Sequence, residues 1–336
     1  MAVWSTAAWR DEAVAWLDAR LAEAGRERTG EVDQPHLRPW ATLLSAPTSG
    51  GRVWLKAAGP GTAFEVGLYE LLHQVAPDHV LPPLATDTAR GWLVLPDGGP
   101  PLGERLAGPA LVDAMEVALP HYGRLQRALA PETGTLLALG VADMRPGVMV
   151  ERFDEALAAA RNYRDSDHEA CRRVAALRPD FVSWCDELAD RPGPVSLDHN
   201  DLHPWNVLAG ADGSLDRPRF FDWGDSVVAP AFSSMLVCLG IMRDNIPGLG
   251  DDTVAVVVRL RDAYLAAFDD LAGRAELVES LELACRVGKV ARTLTWDRIV
   301  RALDPADLMA EDMSSWESAP YQWLISLPAG DYLRGS

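Results

Sequence analysis

The segment 195–206, which reads V-S-L-D-H-N-D-L-H-P-W-N, constrains this chain more than any other stretch. An apolar lead-in typical of a short strand runs into Asp201, and Asn206 follows five residues later. Sixteen residues beyond Asn206, the apolar pair Phe220-Phe221 leads to a second acid, Asp222. A strand, a tight loop and a returning strand would bring these three polar side chains to one cavity. The pattern therefore predicts a small β unit that carries the chemistry.

Each of the three groups has a distinct chemical use. A carboxylate within hydrogen-bond reach of a hydroxyl orients it and accepts its proton late, which predicts that Asp201 is catalytic. An amide oxygen and a carboxylate are ligands that suit Mg²⁺ on the phosphates of ATP, and we assign these roles to Asn206 and Asp222. Asp225, three residues further on, would help to position metal or substrate, or would cap the next segment.

A second interpretation uses the alternating residues His199, Asp201 and His203. Side chains at alternate positions of an extended segment share a face, so a zinc-dependent hydrolase is geometrically possible. This alternative is less favoured because no third His or Glu lies at the usual spacing and because Asn206 and Asp222 would have no role. In the favoured interpretation His199 braces the loop, and His203 and Trp205 pack beneath it.

Lys56 ends the apolar strand R-V-W-L-K and needs an anion, which an ATP phosphate would supply. Glu65, nine residues later at the start of a helix, would hold the ammonium group in place. Glu70 is the alternative partner. Glu65 is preferred because it directly precedes the apolar face of the helix.

The rest of the chain falls into two parts. The first has an N-terminal helix capped by Ser5 and ended by Gly25, followed by strands and one more helix, predicted at residues 39–44, 52–57, 62–74 and 91–95. After the breaker run P-D-G-G-P-P the pattern is mostly helical, with helices predicted at 110–130, 152–163, 168–190 and across 230–303. Two short strands are expected at 206–209 and 219–222. This order predicts an α+β protein with a small N-lobe of mixed character built on a β-sheet (1–96) and a mainly α-helical C-lobe with a short β insert (97–336).

The composition of the chain restricts the classes of partner that it is expected to bind. The chain has 336 residues and a net charge of −18, from 31 basic and 49 acidic residues. Such a balance argues against nucleic acid as a partner. It would attract a cationic substrate, but the favoured interpretation is that the net charge keeps the protein soluble. The four cysteines form no C-x-x-C pair, and we expect a reduced, cytoplasmic location. No stretch is apolar and long enough to predict a membrane span. A monomer or a homodimer is expected.

Taken together, R-V-W-L-K with Glu65, W-L-V-L-P-D-G-G, L-D-H-N-D-L-H-P-W-N-V-L and R-F-F-D-W-G-D resemble the aminoglycoside phosphotransferase and choline kinase-like family. The resemblance implies a protein-kinase-like fold in which Asp201 is the catalytic aspartate, Asn206 and Asp222 bind Mg²⁺, and Lys56 with Glu65 anchors the phosphates. It also implies that the backbone at Pro96, Asp97 and Gly98 holds adenine.

Two features depart from protein kinases. No G-x-G-x-x-G precedes Lys56, since the candidate phosphate loop at 34–39 has two prolines and no glycine, and no A-P-E-like segment follows Asp222. The predicted function is therefore ATP- and Mg²⁺-dependent O-phosphorylation of a small molecule, such as an antibiotic or an amino sugar. A non-catalytic, kinase-like nucleotide-binding protein is the alternative from another class.

Overall fold

The computed structural model describes residues 3–163, 166–210, 213–244, 253–302 and 318–329. A small N-lobe built on a β-sheet joins a larger, mainly helical C-lobe, which confirms the α+β, bilobal prediction. The elements of the N-lobe, in chain order, are α1 (Ala7–Glu23), β1 (Asp33–Arg38), β2 (Ala41–Ala46), β3 (Val53–Ala58), α2 (Glu65–Val75), β4 (Ala85–Asp87) and β5 (Trp92–Pro96). Strand β5 ends at residue 96, where the sequence predicts the boundary between the lobes.

The N-lobe sheet has the strand order β1-β2-β3-β5-β4, and each neighbouring pair is antiparallel. Alternation along β3 buries Val53, Leu55 and Ala57 in a core that α1 covers with Trp9, Ala13 and Leu17, among others. The intervening residues Trp54 and Lys56 line a cavity on the opposite face. The sheet thus separates a hydrophobic core from a ligand-sized space.

Trp92, at the start of β5, lies on the core face of the sheet and not on the face of the cavity. Its ring packs edge-on against Trp9 and Trp16 under α1, with ring centroids 6.3 and 5.4 Å apart. Because side chains alternate along a strand, the neighbouring Leu93 and Leu95 face the cavity instead.

Two local expectations at the start of the chain are also wrong. The Oγ1 atom of Thr6, not Ser5, caps α1 by accepting a hydrogen bond from the backbone N–H of Trp9 at 3.3 Å. The segment 34–39, the candidate phosphate loop, largely forms the edge strand β1. Pro35 is tolerated there because an edge strand need not donate to a neighbour on its outer side, and the pairing with β2 is irregular between Asp33 and His36.

The C-lobe holds a three-stranded sheet in the order β6-β10-β7, a two-stranded β8-β9 unit and a helical core. Its elements are α3 (Leu102–Arg105), α4 (Gly108–Leu129), α5 (Thr133–Ala138), β6 (Ala142–Asp143), α6 (Met149–Arg161), α7 (His168–Ala176), α8 (Arg178–Asp190), β7 (Val195–Asp198), β8 (Val207–Leu208), β9 (Arg219–Phe220), β10 (Val227–Pro230), α9 (Met235–Asp244), α10 (Thr253–Leu265), α11 (Arg274–Arg301) and α12 (Ala319–Ile325). Residues 245–252, inside the predicted helical stretch 230–303, lie outside the described residues.

The single helix predicted at 168–190 is instead two helices, α7 and α8, which meet at Leu177. Pro179 explains the break, since its ring cannot follow a continuing helix but suits the first turn of a new one. Over the described ranges, no helix combines the length and the apolar character needed to cross a membrane.

A buried polar network fixes the end of β7, where the predicted catalytic loop begins. Asp198, 1% exposed, accepts hydrogen bonds from Ser234 Oγ at 2.6 Å and from the backbone N–H of Asn200 at 2.7 Å. The Tyr122 hydroxyl accepts a bond from the backbone N–H of His199 at 3.0 Å. Burial raises the pKa of Asp198 from 3.8 to about 6, although these hydrogen bonds oppose the rise.

This shift predicts a pH-dependent stability. Because the folded state binds the Asp198 proton more tightly than the unfolded state, the associated stability is present below about pH 4 and is lost as the pH rises through about 6. Two pKa units correspond to about 3 kcal/mol. We therefore expect Asp198→Asn to gain about 3 kcal/mol of unfolding free energy relative to wild type between pH 3 and pH 7, measured by urea unfolding.

The exposed Asp186→Asn serves as the matched control, and its stability difference from wild type should not vary with pH in this way. A constant difference between Asp198→Asn and wild type at both pH values would contradict the prediction.

Candidate functional site

The predicted catalytic loop connects β7 to β8 through a short 3-10 helix, Pro204–Asn206. Asn200 adopts a left-handed backbone with φ of 59°, so the chain turns sharply just before Asp201. The Asn206 side-chain amide donates from Nδ2 to the backbone carbonyl of Asp201 at 2.9 Å. This bond joins the two residues that begin and end the loop, Asp201 and Asn206. It also leaves the amide oxygen of Asn206 available to a ligand.

Both oxygens of the Asp201 carboxylate have a polar neighbour. Oδ1 accepts a hydrogen bond from Arg292 Nη2 at 2.6 Å, and Oδ2 lies 3.4 Å from His203 Nε2. Burial opposes ionisation, but the charge of Arg292 and the hydrogen bond from His203 hold the pKa of Asp201 below its usual value. Asp201 is therefore an ionised carboxylate held in a defined orientation.

The second acid, Asp222, follows β9 in a left-handed conformation with φ of 64° and ψ of 63°. A non-glycine residue in this region is strained, and such strain is concentrated at functional sites. Lys56 Nζ lies 2.6 Å from Asp222 Oδ1 and 2.7 Å from Glu65 Oε2. Glu65 Oε1 also accepts the backbone N–H of Trp223 at 3.0 Å. One lysine thus connects a strand and a helix of the N-lobe with a loop of the C-lobe.

Lys56 is paired with Glu65, as expected from the sequence, and not with the alternative Glu70, which accepts a hydrogen bond from Thr86. Burial alone would lower the pKa of Lys56, but the charges of Asp222 and Glu65 raise it above its usual value. The lysine is consequently a permanent cation inside the cleft.

His199 is fully buried and braces two loops, in line with the structural role predicted for it. Its Nε2 lies 2.9 Å from the backbone carbonyl of Phe221, and its ring stacks on Trp223 with centroids 4.6 Å apart. Among the described residues, no group of three or more His, Cys, Asp or Glu side chains is arranged to hold a metal ion. The alternative zinc site of His199, Asp201 and His203 is therefore wrong, because His199 is engaged elsewhere.

Two neighbouring cavities meet at Lys56 and Asp222, which line both. The first, about 360 Å³, is mostly apolar, and its lining includes Leu81, Leu93, Leu95, Leu208, Phe221 and residues 96–99. Gly98 packs closely against Leu208, since a Cβ at this position would lie 2.4 Å from a methyl group of that side chain. We call this space the apolar cleft.

The second cavity, about 610 Å³, contains Asp201, Asp222 and Asp225 together with apolar residues of the C-lobe helices. Its walls include Val237 and Ile241 from α9, Trp296 and Ile299 from α11, and Trp323 from α12. We call it the acceptor cavity. Trp40, at the tip of the β1–β2 hairpin, lines both cavities and packs edge-on against Trp296 at 6.3 Å.

Arg292 is the site residue that the sequence analysis missed. It lies on α11, is 4% exposed, and bonds Asp201 and Asp225 at once, each at 2.6 Å. The available signal was a basic residue inside the otherwise buried run V-G-K-V-A-R-T-L-T-W of that helix. A buried arginine requires an acidic partner, but the sequence does not say which acid that is.

Trp205 does not pack beneath the catalytic loop, so that expectation is wrong. It is 37% exposed, and its ring lies against Gly103 of α3, where a Cβ would approach it to 2.6 Å. Asp143 and Arg145 form a local ion pair at 2.7 Å.

The model of the phosphotransferase enzyme family APH matches residues 63–277, which is more than half of the chain. The chain belongs to this family. Its members transfer phosphate to hydroxyl groups of small molecules, so the protein is a small-molecule kinase.

Several solved structures share the fold. A macrolide 2'-phosphotransferase type I has a TM-score of 0.56 and 16% identity, covering 93% of this chain and 97% of its own. A Plasmodium vivax ethanolamine kinase has a TM-score of 0.56 and 11% identity, covering 88% and 81%. A spectinomycin phosphotransferase in complex with ADP and spectinomycin has a TM-score of 0.51 and 14% identity, covering 93% and 98%. No curated protein sequence matches the chain. The kinase-like family and fold expected from the motifs are thereby confirmed.

The contact between Lys56 and Glu65 generates a stability prediction. Lys56→Met leaves Glu65, 1% exposed, without its cation, and breaking a buried ion pair in this way costs about 3 kcal/mol. We expect the double variant Lys56→Met/Glu65→Gln to recover most of the lost free energy of unfolding, measured by urea denaturation. Glu70→Gln on the same helix is the control and should change little. A double variant no more stable than Lys56→Met would show that the two side chains are not energetically coupled.

Proposed function

We propose that the protein transfers the γ-phosphate of ATP, with Mg²⁺, to a hydroxyl group of an amphiphilic small molecule. The observation that carries this proposal is that Asp201 and Asp222 line one acceptor cavity, which meets the apolar cleft at Lys56 and Asp222. A nucleotide in the cleft and an alcohol in the acceptor cavity would have their reacting groups at the junction between them.

The apolar cleft suits adenine. Its leucine and phenylalanine walls would contact the base, and the backbone of Pro96, Asp97 and Gly98 would offer hydrogen bonds at its edge. Lys56, held by Glu65, would meet the phosphates at the junction. The similar spectinomycin phosphotransferase structure, which contains ADP, supports a nucleotide in this fold.

The residues around Asp222 fit a magnesium site. Asp222 has a side chain that is 52% exposed and that already attracts a cation, Lys56, and Asn206 has its amide oxygen available. One carboxylate and one amide oxygen are enough, since Mg²⁺ takes its other ligands from phosphate and water. When bound, Mg²⁺ would neutralise phosphate charge.

Asp201 would receive the acceptor hydroxyl. Its carboxylate is ionised and oriented, so it can accept a hydrogen bond from the alcohol and take its proton late in a loose transition state. Arg292 weakens its basicity, which suits a group that orients more than it deprotonates.

The acceptor cavity favours an apolar face on its ligand. Among the described residues that line it, each carboxylate already has a basic partner: Asp201 and Asp225 have Arg292, Asp222 has Lys56, and Asp244 has Arg243. Trp296 and Trp323 provide broad apolar surfaces. We therefore propose an acceptor such as a natural-product antibiotic or amino sugar with a sizeable apolar surface, held more by packing than by ion pairing.

Two variants distinguish the proposed role of Asp201 from that of Asp222. Asp201→Asn should lower kcat by at least about 1,000-fold while leaving nucleotide affinity near wild type, because only the hydroxyl loses its partner. Asp222→Asn should remove Mg²⁺-dependent ADP binding.

Transfer to a panel of macrolides, aminoglycosides, spectinomycin, amino sugars, choline and ethanolamine would be followed by ADP release, with binding measured by calorimetry. Asp186→Asn is the control. Full activity in Asp201→Asn would refute the assignment, and nucleotide binding without transfer to any acceptor would favour the non-catalytic alternative.

The wall of the acceptor cavity gives a second prediction. Trp323→Ala should raise KM for the acceptor about 10-fold or more and leave KM for ATP unchanged, because Trp323 lines only the acceptor cavity. Trp184→Ala is a tryptophan control outside both cavities. An equal rise in the two KM values would contradict the proposed separation of the binding sites.

A further inference from the structure

The contacts of Arg292 join two acids of different loops. One guanidinium donates from Nη2 to Asp201 in the catalytic loop and from Nη1 to Asp225 in the loop after β9. The side chain of Arg292 is 5% exposed, against 26% for Asp201 and 17% for Asp225. The arginine is the most buried of the three side chains, and all three line the acceptor cavity.

Few other groups determine where this guanidinium lies. Within the described part of the chain its Nε has no hydrogen-bond partner, and its planar group sits 5.2 Å from the ring centroid of Trp296. The orientation of Arg292 thus depends on two carboxylates and one tryptophan. The same tryptophan forms part of the acceptor cavity wall.

Helix α11 also contacts the catalytic loop and the loop after β9 through side chains other than Arg292. Thr295 Oγ1 accepts a hydrogen bond from Asn200 Nδ2 at 2.7 Å, and Arg298 Nη2 donates to the carbonyl of Gly224 at 3.3 Å. Positions 292, 295 and 298 follow one another at intervals of three residues, so each lies next to the following one on the helix surface. One helix therefore fixes both loops and, through Trp296 and Ile299, also lines the cavity in which the acceptor would sit.

We propose that Arg292 is a positioning residue for the phosphoryl transfer, which fixes the Asp201 carboxylate relative to the acceptor wall carried by α11. This proposal deepens the proposed kinase function and rests on it. Arg292 acts through Asp201 and holds it at the angle from which it meets an alcohol bound against Trp296. The catalytic aspartate and the wall of the acceptor cavity are then both fixed by α11, although 91 residues separate Asp201 from Arg292.

The chemistry of the side chain makes arginine specific for this role. A guanidinium offers parallel donors in a planar fork and can bond two carboxylates at fixed angles, whereas an ammonium group acts as a point charge. Without a cation, two neighbouring carboxylates in a buried setting could not both stay ionised, so Asp201 would take up a proton or turn away from Asp225. A misplacement of about 1 Å at a reacting group costs about 100-fold in rate.

The experiment measures kcat and both KM values for Arg292→Met and Arg292→Lys, with the acceptor identified for the wild type. We expect Arg292→Met to lower kcat about 100-fold and Arg292→Lys about 10-fold, with KM for ATP within about threefold of wild type. Nucleotide binding should persist because Lys56, Glu65 and the apolar cleft do not contact Arg292. Arg286→Gln, on the same helix but stacked over Trp184, is the control and should behave as wild type.

A chemical rescue distinguishes positioning from general stability. In Arg292→Ala, guanidinium at non-denaturing concentration should restore kcat at least about fivefold, and methylammonium should not, because only the former reproduces the fork. If the Met and Ala variants do not fold, Arg292→Lys decides alone. A kcat for Arg292→Lys equal to wild type would overturn the proposal, as would a loss of ATP affinity that matches the loss of kcat. Absence of transfer by the wild type with every acceptor would instead overturn the proposed kinase function and this proposal with it.

Discussion

The cleft depends on one partly buried cation, Lys56, whose anionic partners come from both lobes. Its ammonium contacts Glu65 from the N-lobe helix and Asp222 from the C-lobe loop, and Glu65 also receives the backbone N–H of Trp223. A charge buried without partners would be prohibitive, so the strand, the helix and the loop must assemble together. The location of the cleft, its junction with the acceptor cavity and the position of Asp222 all follow from this requirement.

A second cation-centred group, around Arg292, faces the first across the site. Both groups combine one basic side chain with two acidic ones, but they differ in geometry. Lys56 is a point charge without a fixed bonding geometry, whereas Arg292 is a planar fork whose donors bond two carboxylates at defined angles. The left-handed backbone at Asn200 and at Asp222 places each central acid beside its cation. The two basic side chains thus hold the acids of the site in geometrically different ways.

The sequence predicts much of this arrangement wherever the relevant contacts are local. The five-residue loop from Asp201 to Asn206, the strand that ends near Asp222 and the strand-to-helix step from Lys56 to Glu65 are short-range patterns, and the structure brings these residues together. Their chemical roles remain predictions. Contacts between residues far apart in the chain could not be predicted from the sequence. Helical periodicity indicates that Arg292 is buried, but the acids it contacts depend on how α11 packs against the loops of the site. Trp92 shows the same limit, because alternation in a strand does not reveal which face meets α1.

The position of Trp40 at the hairpin tip links the two cavities. This side chain lines both of them and packs against Trp296 of the C-lobe. Because the cavities share this residue, any change in the conformation of the hairpin alters the shape of both at once. The two cavities therefore have a common boundary that belongs to the N-lobe.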